Sequence, residues 1–421
     1  MRESTQGSDR LAGRGGTRPH LPETTGTCRR PIARGHSPGS RPVTGRARRM
    51  LLVLVCALGL VLPGLGTPAF GATAIQAEHQ RLGGTAGRLG SALGPERCGL
   101  VRGGCYQTFE RGTIHWSPRT GARPTWGAIR AAWAAQDWER GRLGYPVGRE
   151  VCGLRDAGCY QVFEGGVVLW SRASGAHPTG GAIRAAWLRQ GAEHGALGYP
   201  VSSEACGAGG CRQSFQRGSI TWARGAGTRV TREIDRAASV YVVVNKRRPL
   251  VPADHVPRPL ESVGGQLLRS DAAAAFRRMQ RAAAADGAPL TAVSGYRSYA
   301  TQAGLYRHYV GLYGQAQADL ISARPGHSEH QTGLVMDIGD PSGRCGLQSC
   351  FEGTPAGAWA REHAHEHGFV VRYPRGRTAT TGYAYEPWHL RYVGVHVATG
   401  MVDQGIPTLE HYMGLPAAPT Y

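Results

Sequence analysis

Pro325-Gly-His-Ser-Glu-His-Gln-Thr-Gly-Leu-Val-Met-Asp-Ile338, taken together with Glu386-Pro-Trp-His389, holds the most specific chemistry in this 421-residue chain. Ser328-x-His330 is followed by Gly333 and then by Asp337, seven residues beyond the histidine. Glu386 and His389 are separated only by Pro-Trp and can meet at one point. A zinc hydrolase needs three protein ligands of imidazole and carboxylate type, an open position for water, and a nearby carboxylate that takes and returns a proton. The two segments supply that set. With 16 histidines in the chain, the pattern by itself is equally that of surface or capping histidines.

The residues around these segments predict a domain of mixed elements. Val240-Tyr-Val-Val-Val244 reads as a strand near the start of a second domain, which begins about residue 238 after a flexible boundary at Arg224-Gly-Ala-Gly-Thr-Arg229. Ser270 or Asp271 is placed to cap a helix running through Phe276 to Ala285, closed by Gly287. Leu290-Thr-Ala-Val293 reads as a strand ending in Ser294-Gly-Tyr-Arg-Ser298, and Ser298 caps a helix through Gln302 and Tyr306 to Tyr313. Strands alternating irregularly with helices predict an α+β fold. His363, His365 and His367 fall at a helix end before Gly368, where imidazoles suit the dipole, and no H-E-x-x-H occurs there. His327, although it forms H-x-x-H with His330, reads as a loop residue.

The first half is an internal repeat. Leu89, Leu143 and Leu197 are spaced by 54 residues, as are Cys98, Cys152 and Cys206. The second unit runs Leu143-Gly-Tyr-Pro146, Cys152 to Cys159, Gln161-Val-Phe163, Gly166-Val-Val-Leu-Trp170 and Gly181-Ala-Ile-Arg-Ala-Ala-Trp187. The alternating apolar residues between glycines predict a short hairpin, and Ala-Ile-Arg-Ala-Ala-Trp a short helical piece. One unit is too small to bury its own face, so neighbours stack, and the periodic Trp and Phe read as core before a sugar-stacking surface.

Length allows two or three domains at roughly 150 residues each. Charged residues are 19% and hydrophobic residues 41%, which excludes a disordered polyelectrolyte and a membrane bundle alike. Residues 1–49 carry eleven Arg against three acids with no apolar period, and read as a disordered basic leader. Arg48-Arg49, the apolar run Leu51–Leu62 and the small residues to Ala74 predict a signal peptide over 50–74; the run is short of the roughly 20 residues a spanning helix needs. Of the 49 basic and 29 acidic residues, 38 and 26 lie beyond the leader, a balance of about +12 that suits an anionic cell wall or membrane surface, and no groove-reading motif supports nucleic acid. Eight of the ten cysteines lie beyond the signal in four close pairs, Cys98/Cys105, Cys152/Cys159, Cys206/Cys211 and Cys345/Cys350, which in an exported chain predict local disulfides.

Two resemblances sharpen these readings. Leu-Gly-Tyr-Pro, Gly-Cys-Tyr-Gln-x-Phe, Gly-x-x-x-Trp and Gly-x-Ile-x-x-x-Trp resemble LGFP repeats over about 87–229, which implies a β-rich, disulfide-braced module that holds an exported protein to a cell-envelope polymer. Unit one departs from the pattern with Leu89-Gly-Ser-Ala92 and reads as a degenerate cap. Ser-x-His-x(6)-Asp with Glu-x-x-His resembles the zinc D-alanyl-D-alanine carboxypeptidase family, which includes vancomycin-resistance carboxypeptidases and L,D-carboxypeptidases. Matches run over about 239–413, among them Val244-Asn-Lys-x-Arg-Pro-Leu250, Ser294-Gly-Tyr-Arg-Ser-Tyr-x-x-Gln302, Gly368-Phe-x-x-Arg-Tyr-Pro374 and Thr408-Leu-Glu-x-Tyr412.

The second resemblance implies the small α+β sheet shared with hedgehog signalling domains. It implies that His330, Asp337 and His389 hold Zn2+, that Glu386 is the acid/base, and that Ser328 and Gln302 help bind the peptide. Arg297 takes the oxyanion, with a clamp on the substrate's terminal carboxylate as the other reading, and Cys345/Cys350 braces an active-site rim. The expected protein is a secreted, wall-associated zinc metallo-carboxypeptidase that removes the C-terminal D-alanine from peptidoglycan stem peptides. An L,D-carboxypeptidase on tetrapeptides, an endopeptidase and a non-catalytic envelope-binding protein are its rivals.

Overall fold

The computed structural model describes residues 72–421. The expectations for the basic leader and for all but the end of the signal segment fall outside these residues.

Each repeat unit is a four-stranded antiparallel meander, wider than the hairpin the alternation predicts. The first comprises Arg97–Leu100, Gly104–Phe109, Gly112–Ser117 and Gly121–Trp126; the second starts at Val151–Leu154 and the third at Ala205–Gly207. The predicted helical pieces are helices Gly127–Ala134 and Gly181–Arg189. Each helix serves the sheet that follows it. Ile129 and Trp133 share a core with Leu143, Phe163 and Val168 of unit two, and Ile183 and Trp187 share one with Leu197, Tyr199 and Phe215 of unit three. Neighbouring units are also stitched by their polar groups. Tyr145 Oη donates to Val101 O at 2.6 Å and Tyr199 Oη to Arg155 O at 2.5 Å, each reaching into the preceding unit. Any side chain at Gly104 or Gly158 would collide with that hydroxyl. The departure of unit one follows from this, because among the described residues it is preceded by the helix Ala74–Arg81 and by no sheet that a tyrosine at Ser91 would reach.

Trp133 is fully buried, and its Nε1 donates to Gly144 O at 3.1 Å. Trp133→Ala removes a large core side chain and strands that carbonyl, so the repeat transition in urea moves down by about 3–5 kcal/mol. A loss under about 1 kcal/mol would place the indole outside the core.

All four cysteine pairs form disulfides, Cys98–Cys105, Cys152–Cys159, Cys206–Cys211 and Cys345–Cys350. Arg224-Gly-Ala-Gly-Thr-Arg229, expected as a flexible boundary, is instead the turn and start of the third sheet's last strand, Gly227–Arg232. The link onward is the short turn Glu233–Asp235, whose Ile234 is buried with Val243, Val393 and Tyr412.

The second half is α+β. A four-stranded antiparallel sheet runs in the order Thr291–Ser294, Val335–Gly339, Glu386–Tyr392, Phe369–Tyr373. The helix Ser270–Ala285 buries Ala272, Phe276, Met279 and Ala283 against Leu334, Met336, Ile338 and Phe369 of that sheet. Neither expected cap residue caps it: the helix begins at Ser270, and the Asp271 carboxylate is held by Arg269 and by the Ala272 N–H. Ser298 does cap the next helix, which continues past Tyr313 to Ile321 through a break at Gly314, φ 74°. Val240–Val244 is not a strand. Val240 and Tyr241 form a turn, Val242–Val244 are buried without joining a sheet, and the carbonyls of Val240 and Val242 accept from the Arg391 guanidinium at 3.1 and 2.7 Å in place of a neighbouring strand.

Candidate active site

Sheet register brings the two motif segments together. Asp337 lies directly across from His389 in the antiparallel pair, so the two side chains share a face. Glu386 is three residues from His389, and in a regular strand it would point to the other face. The pairing of the Glu386–Tyr392 strand with its outer neighbour slips between Val371/Leu390 and Tyr373/Glu386, leaving two extra residues on the motif strand. Pro387, which has no N–H to give a ladder, lies in that bulge, and the bulge turns Glu386 onto the same side as His389. His330 comes from the turn Glu329–Thr332, which Gly333 ends at φ 66°.

The donor atoms of His330, Asp337 and His389 all lie within 4.8 Å of one another, and the three residues are buried. His330 Nε2 is 3.3 Å from Asp337 Oδ2, and His389 Nδ1 is 3.2 Å from Asp337 Oδ1. The far edge of each imidazole is oriented from behind. His330 Nδ1 is 2.7 Å from Gly295 O, and His389 Nε2 faces Glu329 Oε2 at 3.8 Å. Asp337 Oδ1 is buried without a hydrogen-bond partner. Two nitrogens and a carboxylate converging in a buried cluster, one ring hydrogen-bonded from behind and the other backed by a carboxylate, fit a divalent metal of the zinc type. Glu386 Oε2 lies 3.5 Å from His389 Nδ1 at the open side of this set.

Electrostatics divide the groups. Burial works against the charged imidazole of His389, but Asp337 and Glu329 outweigh it and raise the group to about 9. Burial also acts to raise the Asp337 carboxyl, yet the two histidines hold it well below the usual carboxylate range. Glu386 faces little compensation, and burial lifts it to about 8.

These residues open into a cavity of about 400 Å³ walled by Ser328, Arg297, Tyr309, Tyr383, Trp388 and Leu347. Arg297 Nη1 donates to Gln302 Oε1 at 2.7 Å and Nη2 to Ser294 Oγ at 3.2 Å. Gln302, expected to touch the peptide, does not reach the cavity. It is fully buried, and its amide is spent on Ser322 Oγ and Ala323 O, so it positions Arg297 from behind. Leu347, at φ 51°, brings the loop closed by Cys345–Cys350 to the cavity wall. His327 instead sets its Nδ1 2.8 Å from Asn245 O, and His363 and His367 stack by Trp359 away from the site.

Sequence reasoning missed what stands behind the site. Glu329 Oε1 accepts from Arg372 Nε and Arg391 Nη1, both at 3.0 Å, and Arg372 makes a two-pronged contact with Glu410 at 2.9 and 2.6 Å. All four side chains are completely buried. Glu329 and Glu410 stand in quoted motifs, but only as unassigned letters. The signal that pointed to them was the presence of charges inside otherwise apolar stretches such as Phe369-Val-Val-Arg-Tyr373.

A sheet and an adjoining turn that present two imidazoles, an aspartate and a flanking glutamate to one cavity have the architecture of a metal-dependent hydrolase. The family model of VanY, D-alanyl-D-alanine carboxypeptidase, matches residues 265–395, and that of the LGFP repeat matches 89–141, 143–195 and 197–237. A Bacillus subtilis (strain 168) protein named "Putative carboxypeptidase YodJ" is 39% identical over 189 residues, 42% of this chain and 68% of that protein. A D-alanyl-D-alanine carboxypeptidase of Enterococcus faecalis (strain ATCC 700802 / V583) is 32% identical over 181 residues, 41% of this chain and 65% of its own. A solved structure of the LdcB LD-carboxypeptidase is 39% identical, covering 42% of this chain and 87% of that one at a TM-score of 0.40. The chain belongs to the VanY family of D-alanyl-D-alanine carboxypeptidases, with three LGFP repeats ahead of the peptidase region.

Proposed function

We propose that this chain is an exported zinc carboxypeptidase that removes the C-terminal D-alanine from peptidoglycan stem peptides, and that its repeats hold it at the cell envelope. The observation that carries the reading is the convergence of His330, Asp337, His389, Glu386 and Arg297 on one cavity. His330, Asp337 and His389 would hold the ion. A bound zinc supplies Lewis-acid polarisation of the scissile carbonyl and brings a water's pKa to about 7. Glu386 takes the proton of the attacking water and delivers it to the amide nitrogen. The C–O bond forms, the C–N bond breaks, and D-alanine leaves as a neutral amine before it protonates. Arg297, held in place by Gln302 and Ser294, faces the negative charge that develops on the carbonyl oxygen. Ser328 offers its hydroxyl to the peptide from the cavity wall.

Export is supported by the four disulfides, which reducing compartments do not sustain. Among the described residues no helix is long and apolar enough to cross a membrane. Mass spectrometry of muropeptides incubated with residues 72–421 tests the reading. Pentapeptide loses one alanine, and a chelator abolishes the loss until zinc is restored. Loss from tetrapeptide alone would move the assignment to an L,D-carboxypeptidase. No product from either, with metal bound and the chain folded, would leave an envelope-binding protein.

A further inference from the structure

The repeats provide their own control, because the same turn and the same strand positions recur in each copy. After the helix that carries Trp133 the chain turns through Asp137-Trp138, both in the left-handed region at φ 63° and 52°. The corresponding turns are Gly83-Gly84, at φ 94° and 57°, and Gly191-Ala192, at 89° and 53°. Asp137 and Trp138 thus occupy a left-handed backbone that strains residues bearing a side chain and that the other copies give to small ones. The strands that this turn covers differ in the same copy. Where the second unit pairs Val162 with Val167 and Tyr160 with Leu169, the first pairs Thr108 with Thr113 and Tyr106 with His115. Val167 and Leu169 are core residues packed with Trp187. Their counterparts in unit one line a cavity of about 220 Å³ beneath Trp138.

The groups facing that cavity are mixed in a particular way. Tyr106 and Trp138 lie within 15° and 24° of parallel to the His115 ring. His115 is 5% exposed, and its Nδ1 is buried with no hydrogen-bond partner. Burial and the nearby Arg130 push this imidazole down to about 3, so it is neutral and able to share one hydrogen bond. Arg130 donates to Thr113 Oγ1 at 3.2 Å and stacks over Trp138 with its guanidinium 5.1 Å from the ring centre. An apolar ligand would leave the His115 nitrogen unpaired, whereas Thr113 Oγ1 is already shared with Thr125 Oγ1 at 2.9 Å and with Arg130. A free anion would meet Arg130 but also Asp137 and Glu139, which line the same cavity. A sugar ring fits both demands, with an apolar face for the aromatic wall and hydroxyls around its edge for Thr108, Thr113, His115 and Arg130.

We propose that the first repeat is the glycan-reading copy, and that its cavity takes a single sugar residue of an envelope glycan against Trp138 and Tyr106. The proposal rests on the reading that the repeats attach the chain to the envelope, and narrows it to one site. The second unit supplies a substitution the scaffold already accepts: Thr108→Val, Thr113→Val and His115→Leu together, with Trp138→Ala as a separate variant that copies Ala192. Residues 72–421 are tested for co-sedimentation with sacculi freed of protein and of stem peptides, so that the catalytic cavity has nothing to hold. The expected result is binding by the wild type and a loss of about tenfold or more in both variants, with hydrolysis of a soluble pentapeptide unchanged. Variants that sediment like the wild type would overturn the site while leaving attachment in place. A wild type that does not sediment would overturn attachment, and the site with it.

Discussion

Glu386→Gln lowers kcat on pentapeptide by about 10² to 10⁴ with the zinc content of the protein unchanged. The carboxamide keeps the shape of the side chain beside His389 but cannot accept a proton, so the water is not deprotonated and the leaving nitrogen receives nothing. On the proposed reading Glu386 lies beside the ligands and outside them, at 3.5 Å from His389 Nδ1, so metal analysis of the variant returns one zinc per chain. Two outcomes overturn the assignment: activity within about threefold of wild type, or loss of the metal, which would make Glu386 a ligand. KM for the peptide is expected to change little, since the glutamate acts on the water and the reacting nitrogen, not on the ground-state peptide.

Arg372→Met destabilises the peptidase half by about 3–5 kcal/mol, read as a shift of the urea midpoint. In the wild type two arginines and two glutamates lie fully buried and balance one another: Glu410 against both prongs of Arg372, and Glu329 against Arg372 and Arg391. Removing Arg372 leaves two carboxylates opposite one guanidinium with no water to help. A loss under about 1 kcal/mol would show the network to be hydrated. The smaller change Glu329→Gln acts on chemistry as well. It removes the charge that faces His389 Nε2, and a competition titration with a chromophoric chelator should show zinc held about 10- to 100-fold more weakly.

The sequence carried the groups that face the cavity more openly than those that support them. His330, Asp337, Glu386 and His389 stand at short, fixed spacings within two segments, and sheet register then places them. Even the bulge that turns Glu386 inward is written locally, in Pro387. The supporting charges are different: Glu329, Arg372, Arg391 and Glu410 come from four separate segments, and no period links them until the fold closes. The same blindness produced the wrong strand at Val240–Val244. A β-branched run predicts a buried strand, and here the burial holds from Val242 on, but only the tertiary structure reveals that its carbonyls are met by Arg391 and not by another strand. Gln302 was misread for a related reason: its position in the motif is legible, whereas the direction it faces is decided by Ser322 and Ala323, twenty residues on. In the repeats the period itself was enough to find the units, since the helix–sheet interlock recurs every 54 residues.

One turn of helix, Leu409–Tyr412, has two duties. Glu410 points into the buried charges behind the metal site, while Tyr412 receives Arg155 of the second repeat, whose guanidinium lies 3.7 Å from the ring centre and donates to the Tyr412 carbonyl at 3.0 Å. Gln404 adds a bond to Asp156 of the same repeat. A blade on a flexible leash sweeps every target within the leash's length; one bolted to its mount cuts only where the mount is set down. On the proposed reading this chain is of the second kind, so the stem peptides it trims are chosen by the footing of its repeats on the wall before the cavity has tested their chemistry.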